Sequence, residues 1–181
     1  MRFSGTADSR STKRRRTSYI VDDTALDAAL DASAEAPLVI EQRTTQPPDA
    51  ALVVLHGFDD TPESCAKGLA AARKAHPSWK SVYMRAPERA IAAFDGKLHR
   101  AFGDFVDAGA VAVGSADYEA ADCKGWYTQS VAAVRDTVAT LKAEGVPPER
   151  VLLFGYSQGG AVAAQAALSL GAALGGVAIL G

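Results

Sequence analysis

Four apolar residues, Val151-Leu152-Leu153-Phe154, run directly into Gly155-Tyr156-Ser157-Gln158-Gly159, and an alanine-rich stretch follows at once. This order predicts a buried strand, a sharp turn and a helix, with a serine hydroxyl held at the turn. Glycine suits positions 155 and 159 because a side chain there would crowd the turn or the helix behind it. Ser157 lies 24 residues from the last residue, and no Asp, Glu or His follows it. In a nucleophile turn of this kind the acid and the histidine come after the serine in chain order. The serine is therefore announced without its usual base.

The same alternation continues through the chain. Leu38–Ile40, Ala51–Leu55, Ser81–Met84, Val151–Phe154 and Val177–Leu180 read as strands. A helix is predicted from the Thr61-Pro62-Glu63 start signal to about Lys74, where Pro77 stops it. A second runs from Gln129 to Glu144, with Val131, Val134, Val138 and Leu141 at helical spacing and Gly145 and Pro147-Pro148 beyond it. A third covers Gln158–Leu170. Strands alternating with helices imply an α/β fold, a mostly parallel sheet with helices on both faces.

Residues 1–36 show little apolar periodicity and read as a largely disordered tail, with a short helix around Thr24–Asp31 admitted. Residues 37–181 form the domain, and 88–127 read as a long loop or lid with scattered aromatics. The first 20 residues carry six basic side chains against one acid, while the rest carry 13 basic and 20 acidic. A basic tail on an acidic body fits an address or a weak anionic-surface contact, and nucleic acid is not expected as a partner. Residues 1–20 lack the apolar core of a secretory signal, and a cytoplasmic location is expected; the tail also admits organellar or nuclear targeting. Residues 161–181 carry no charge, but Gly171 and Gly175-Gly176 divide them into a helix and a strand, so no transmembrane segment is expected. Cys65 and Cys123 stand apart and read as free thiols; no metal or cofactor is implied.

His56-Gly57-Phe58, directly after the second strand, suits an oxyanion loop, with the amides of Phe58 and Gln158 aimed at a developing negative charge. His56 and Gly57 are read as support for that loop, because His56 precedes the serine instead of following it. His76 falls at a helix end before proline. His99, near Asp104 and Asp107, is a weak candidate base on chain order.

These pieces together resemble the acyl-protein thioesterase, lysophospholipase and carboxylesterase family of α/β-hydrolases. The matching segments are Val53–Asp60, Arg85-Ala86-Pro87, Gly125-Trp126-Tyr127, Val146–Val151, Gly155–Ala161 and Gly175–Leu180. Thr128 stands where the third segment's family acid usually lies. The resemblance implies an α/β-hydrolase fold and a metal-free serine esterase or thioesterase. Ser157 would be the nucleophile, Phe58 and Gln158 the oxyanion donors, and a small-molecule or lipidated-protein acyl ester or thioester the substrate. It places the catalytic Asp and His downstream, on strand–helix units this chain is expected to lack, about 40–80 residues at ~30 per unit. The chain by itself is then expected to be inactive, and Val177–Leu180 to form an unpaired sheet edge. The alternative is a non-catalytic binding module or pseudoenzyme on the same fold. Oligomeric state is not legible.

Overall fold

A computed structural model describes residues 19–21, 38–41, 47–104 and 127–181. The strands are β1 (Tyr19–Val21), β2 (Leu38–Glu41), β3 (Ala50–Leu55), β4 (Trp79–Met84), β5 (Glu88–Ile91), β6 (Lys97–Arg100), β7 (Val151–Tyr156) and β8 (Gly176–Leu180). The helices are α1 (Pro62–Gly68), α2 (Ala70–Ala75), α3 (Thr128–Ala143) and α4 (Gln158–Ser169). Six strands form one sheet in the order β1-β2-β4-β3-β7-β8, and β5 and β6 form a separate hairpin. Only the β2–β4 pairing in the large sheet is antiparallel.

Period-two alternation sorts the two faces of the sheet. Ala51, Val53 and Leu55 of β3 and Val151 and Leu153 of β7 pack with Val134, Val138 and Leu141 of α3 and Val162, Ala163 and Ala166 of α4. Val54, Ile40 and Tyr83 point the other way, against Ala66 of α1, with Leu69 and Cys65 partly buried beside them. Each fully buried Val, Leu or Ile here contributes about 1.5–3 kcal/mol of transfer free energy. The α3 stripe is the one its sequence spacing predicts. Beyond α3, Gly145 adopts φ 97°, and the Val146 amide donates to the Leu141 carbonyl, which turns the chain toward β7.

Three differences from the sequence reading have identifiable causes. The helix expected over Thr61–Lys74 starts as predicted, the Thr61 side chain accepting from the Ser64 amide, but it breaks at Leu69 (φ −99°, ψ 13°). Gly68 weakens the helix by about 1 kcal/mol relative to Ala. Leu69 then turns onto the Val54–Tyr83 cluster. Second, Tyr19–Val21, within the segment read as tail, forms β1 beside Leu38–Ile40. A three-residue strand is too short to show periodicity. The helix considered at 24–31 and the rest of the tail lie outside the described residues.

Third, residues 88–100, read as loop, form the β5–β6 hairpin, with Asp95 (φ 53°) and Gly96 (φ 72°) in its turn. Its strands carry few β-branched residues, so composition concealed them. Residues 105–126, including Cys123 and Trp126, lie outside the described residues. The uncharged run 161–181 is cut into α4 and β8, as the glycines at 171, 175 and 176 implied, and among the described residues no helix is long and apolar enough to cross a membrane. Val177, Ile179 and Leu180 on β8 are 42–54% exposed.

Candidate active site

Because β3 and β7 are adjacent and parallel, with Leu55 opposite Gly155, the segments leaving both strands emerge side by side at one edge of the sheet. Ser157 follows β7 at that edge and His56-Gly57-Phe58 follows β3. Ser157 has φ 50° and ψ −119°, a conformation that costs a non-glycine residue of order 1–3 kcal/mol. It occupies the N-cap position of α4, yet its side chain makes no capping hydrogen bond, and the residue is exposed. The helix is tied instead through the Ser157 carbonyl, which accepts from the amides of Gly160 (2.9 Å) and Ala161 (3.3 Å). The Ser157 amide donates to the Leu180 carbonyl of β8 at 2.6 Å.

The glycines explain how α4 approaches so closely. A Cβ on Gly159 would lie 2.5 Å from the carbonyl oxygens of both Leu55 and His56, and one on Gly155 would collide with the Gly159 carbonyl. On the facing loop, a Cβ on Gly57 would stand 3.8 Å from Ser157 Cβ and 3.0 Å from the Tyr156 ring. The loop carrying the Phe58 amide therefore runs in contact with the serine turn. The amide of Gln158, first residue of α4, opens the helix and so has no carbonyl one turn back within it to accept its hydrogen.

His56 is fully buried. Its Nδ1 donates to the Gly57 carbonyl at 2.7 Å, and its Nε2 accepts from the Ala86 amide at 3.1 Å. Both nitrogens are thus engaged, and the ring is the neutral Nδ1–H tautomer. Burial pushes its pKa below 6.5, opposed by the hydrogen bond to Gly57. Gln158 is also buried, and its side chain bridges a third segment: Oε1 accepts from the Phe102 amide at 2.8 Å and Nε2 donates to the Gly103 carbonyl at 2.9 Å. The Phe102 carbonyl in turn accepts from Ser130 Oγ at 2.6 Å, and Phe102 lies 4.8 Å from the His56 ring.

The remaining histidines separate cleanly. His76 precedes β4, at the opposite edge of the sheet from Ser157, and stacks on Trp79 at 4.1 Å. His99 lies on β6 at the serine's edge, but its Nδ1 faces Asp59 at 3.1 Å, and its Nε2 is buried with no hydrogen-bond partner. The sequence reading placed Asp104 and Asp107 beside His99. Asp104 instead accepts from the Ala92 amide, and residue 107 lies outside the described residues. The signal for Asp59 was its place in the loop sequence, yet nothing in the spacing linked position 59 to position 99. Arg85 and Glu63 form a largely buried ion pair at the same edge. Among the described residues no three His, Cys, Asp or Glu side chains converge as a metal site. A cavity of about 500 Å³ lies along α3 near Arg135, Lys142 and Leu170, and no residue of the serine turn or the facing loop lines it.

A mostly parallel sheet with helices on both faces, and a strained serine at the strand–helix turn of β7, define an α/β-hydrolase fold. The sequence matches the Phospholipase/Carboxylesterase family over residues 35–181, and the chain belongs to that family. Solved structures with the same fold include Arabidopsis thaliana SOBER1 (22% identity, TM-score 0.57, 71% of this chain and 59% of that one). Zea mays acyl-protein thioesterase 2 is 24% identical (TM-score 0.56, 74% of this chain and 51% of that one). The Bacillus cereus carboxylesterase is 16% identical (TM-score 0.52, 85% and 63%). The chain thus spans about half to two thirds of the length of these structures. No match was found among curated proteins.

Proposed function

We propose that this chain carries the nucleophile half of a serine esterase or thioesterase. In this reading Ser157 Oγ attacks the carbonyl carbon of an acyl ester or thioester, and its proton passes to a base. The amides of Phe58 and Gln158 receive the negative charge that develops on the carbonyl oxygen. The tetrahedral intermediate collapses, the alcohol or thiol leaves with a proton, and water then hydrolyses the acyl-enzyme. The observation that carries the reading is Ser157 itself: strained, exposed, not used as a helix cap, and set against the Gly57–Phe58 loop. A serine kept only to start a helix would use its hydroxyl for the first-turn amides. Family membership supports the same chemistry.

The base is proposed to be none of the three histidines in this sequence, but one in the downstream order the family resemblance implies. His56 has both nitrogens engaged, His76 is at the wrong edge, and His99 Nε2 bonds to nothing. The 181-residue chain alone is accordingly proposed to be inactive in turnover, because serine without a positioned base is a poor nucleophile. Substrates are small-molecule or lipidated-protein acyl esters or thioesters. One alternative on the same fold is a binding module without the chemistry.

A fluorophosphonate probe separates these readings. It should label the product of the transcript read beyond Gly181, and not its Ser157→Ala variant. Labelling that survives Ser157→Ala overturns the assignment. An extended product that stays unlabelled favours the binding module.

A further inference from the structure

The β5–β6 hairpin shares no strand with the main sheet, yet it grips the loop after β3 in three ways. The Asp59 amide donates to the Arg100 carbonyl at 2.8 Å, and Asp59 Oδ1 accepts weakly from the Arg100 amide at 3.4 Å. Asp59 Oδ2 meets His99 Nδ1 at 3.1 Å. The Phe58 ring stacks on Phe94 (5.3 Å between centroids, 12° between planes) and packs 5.1 Å from His99. Asp59 is held at φ 54°, in the left-handed region, so the backbone next to Phe58 is fixed in a geometry a free loop would leave. The hairpin is itself moored to the end of β4. Arg100 Nη1 donates to the Ala86 carbonyl at 2.9 Å, and the Ala101 amide donates to the Pro87 carbonyl at 3.0 Å.

His99 is a poor choice for filler. Its ring sits against Phe58 and Phe94, 4.9 Å from the latter, and its Nε2 is buried without a partner. Leucine or phenylalanine would fill that slot without stranding a polar atom. Its Nδ1, by contrast, meets the Asp59 carboxylate.

We propose that His99 is a positioning residue: through Asp59 it fixes the loop that carries the Phe58 amide, and so aims that amide at the oxygen of the reacting acyl group. The inference rests on the reading of Phe58 as an oxyanion donor. Such a donor works only when held about 3 Å from the oxyanion's position. A tie at the adjacent residue therefore acts on the rate of the chemical step more than on substrate binding.

The test uses two variants and two measurements. His99→Leu fills the slot and removes the donor; His99→Asn restores an N–H toward Asp59. In the transcript-extended protein, with p-nitrophenyl butyrate as probe, His99→Leu should lower kcat about 10–100-fold with KM within about threefold. His99→Asn should recover kcat to within about threefold. In the 181-residue chain, hydrogen exchange of the Asp59 amide should quicken at least about tenfold in His99→Leu and not in His99→Asn, with Val53 unchanged as an internal control. Unchanged kcat in His99→Leu, or a loss that Asn does not recover, overturns the proposal. If the extended protein shows no Ser157-dependent turnover, the hydrolase reading falls, and unchanged Asp59 exchange in His99→Leu would sink the clamp on its own.

Discussion

Gln158 holds the backbone of Phe102 from inside the core, taking its amide hydrogen on Oε1 while Nε2 serves the next carbonyl, that of Gly103. One residue thus has two jobs. Its main chain opens α4 beside Ser157, and its side chain pins the segment that follows the β5–β6 hairpin. Ser130 at the start of α3 completes the tie by donating to the Phe102 carbonyl. Helix, hairpin exit and serine turn are therefore one hydrogen-bonded unit.

Removing the amide should be expensive. Gln158→Leu leaves a buried N–H and a buried C=O without partners, each costing about 1–3 kcal/mol. Urea denaturation should show a loss of about 2–4 kcal/mol. Gln165→Ala, at an exposed position of the same helix, should stay within about 0.5 kcal/mol. A loss no larger for Gln158 than for Gln165 would show that the bridge is not a structural tie.

The architecture was largely legible because it rests on patterns that survive burial. Continuous apolar runs gave β3 and β7, and the 131/134/138/141 stripe gave α3. The strand–glycine–serine–glycine order located the turn at 157. What escaped was everything set by tertiary context. The hairpin at 88–100 carries charged and small residues whose order shows no alternation, and the pairing of Asp59 with His99 depends on how that hairpin folds back. The Gln158 bridge is equally silent in sequence, since a glutamine at the first position of a helix ordinarily faces water. The α1–α2 break followed from Leu69 finding an apolar cluster that propensity alone does not reveal.

The close approach of α4 to β3 makes a sharp forecast about two glycines. Gly159→Ala would place a methyl 2.5 Å from two carbonyl oxygens, both of them backbone and unable to step aside. It should cost about 3 kcal/mol or more, or prevent folding. At Gly68, the last residue of α1, nothing stands within 4 Å of the added carbon. Gly68→Ala should stabilise by about 0.5–1 kcal/mol through helix propensity. Thermal melts of the two variants should move in opposite directions; equal shifts would contradict the packing described.

Ser157 permits a comparison that isolates the strain in its backbone. Within a helix alanine is more stable than glycine by about 1 kcal/mol, whereas at an ordinary N-cap glycine already leads alanine by about 1 kcal/mol. At φ 50° and ψ −119° the Cβ of alanine is strained whereas glycine is not. Ser157→Gly should therefore exceed Ser157→Ala in stability by about 2 kcal/mol or more in chemical denaturation, the cap preference and the backbone strain adding. Both should lose fluorophosphonate labelling in the extended protein. A difference no larger than the ordinary cap preference of about 1 kcal/mol would mean the turn is relaxed.

His56 supplies the pH dependence. Burial lowers its folded pKa below 6.5, so as pH falls through 6.5 the unfolded chain takes up a proton at this position that the folded chain refuses. Proton uptake by the unfolded state alone draws the equilibrium toward it, so this contribution to stability is intact above pH 6.5 and declines as pH drops toward the folded pKa. The slope from one group cannot exceed about 1.4 kcal/mol per pH unit. Once protonated, the ring would present an Nε2–H to the Ala86 amide that now donates to it, losing the 3.1 Å bond that joins the loop to the end of β4. Two measurements address this. The His56 ring resonance should titrate with a midpoint below 6.5, and the protection factor of the Ala86 amide, corrected for the intrinsic pH dependence of exchange, should fall once pH drops past that midpoint. A midpoint at or above 6.5 would show that the ring is hydrated, and the picture of His56 as a buried neutral brace between Gly57 and Ala86 would have to be abandoned.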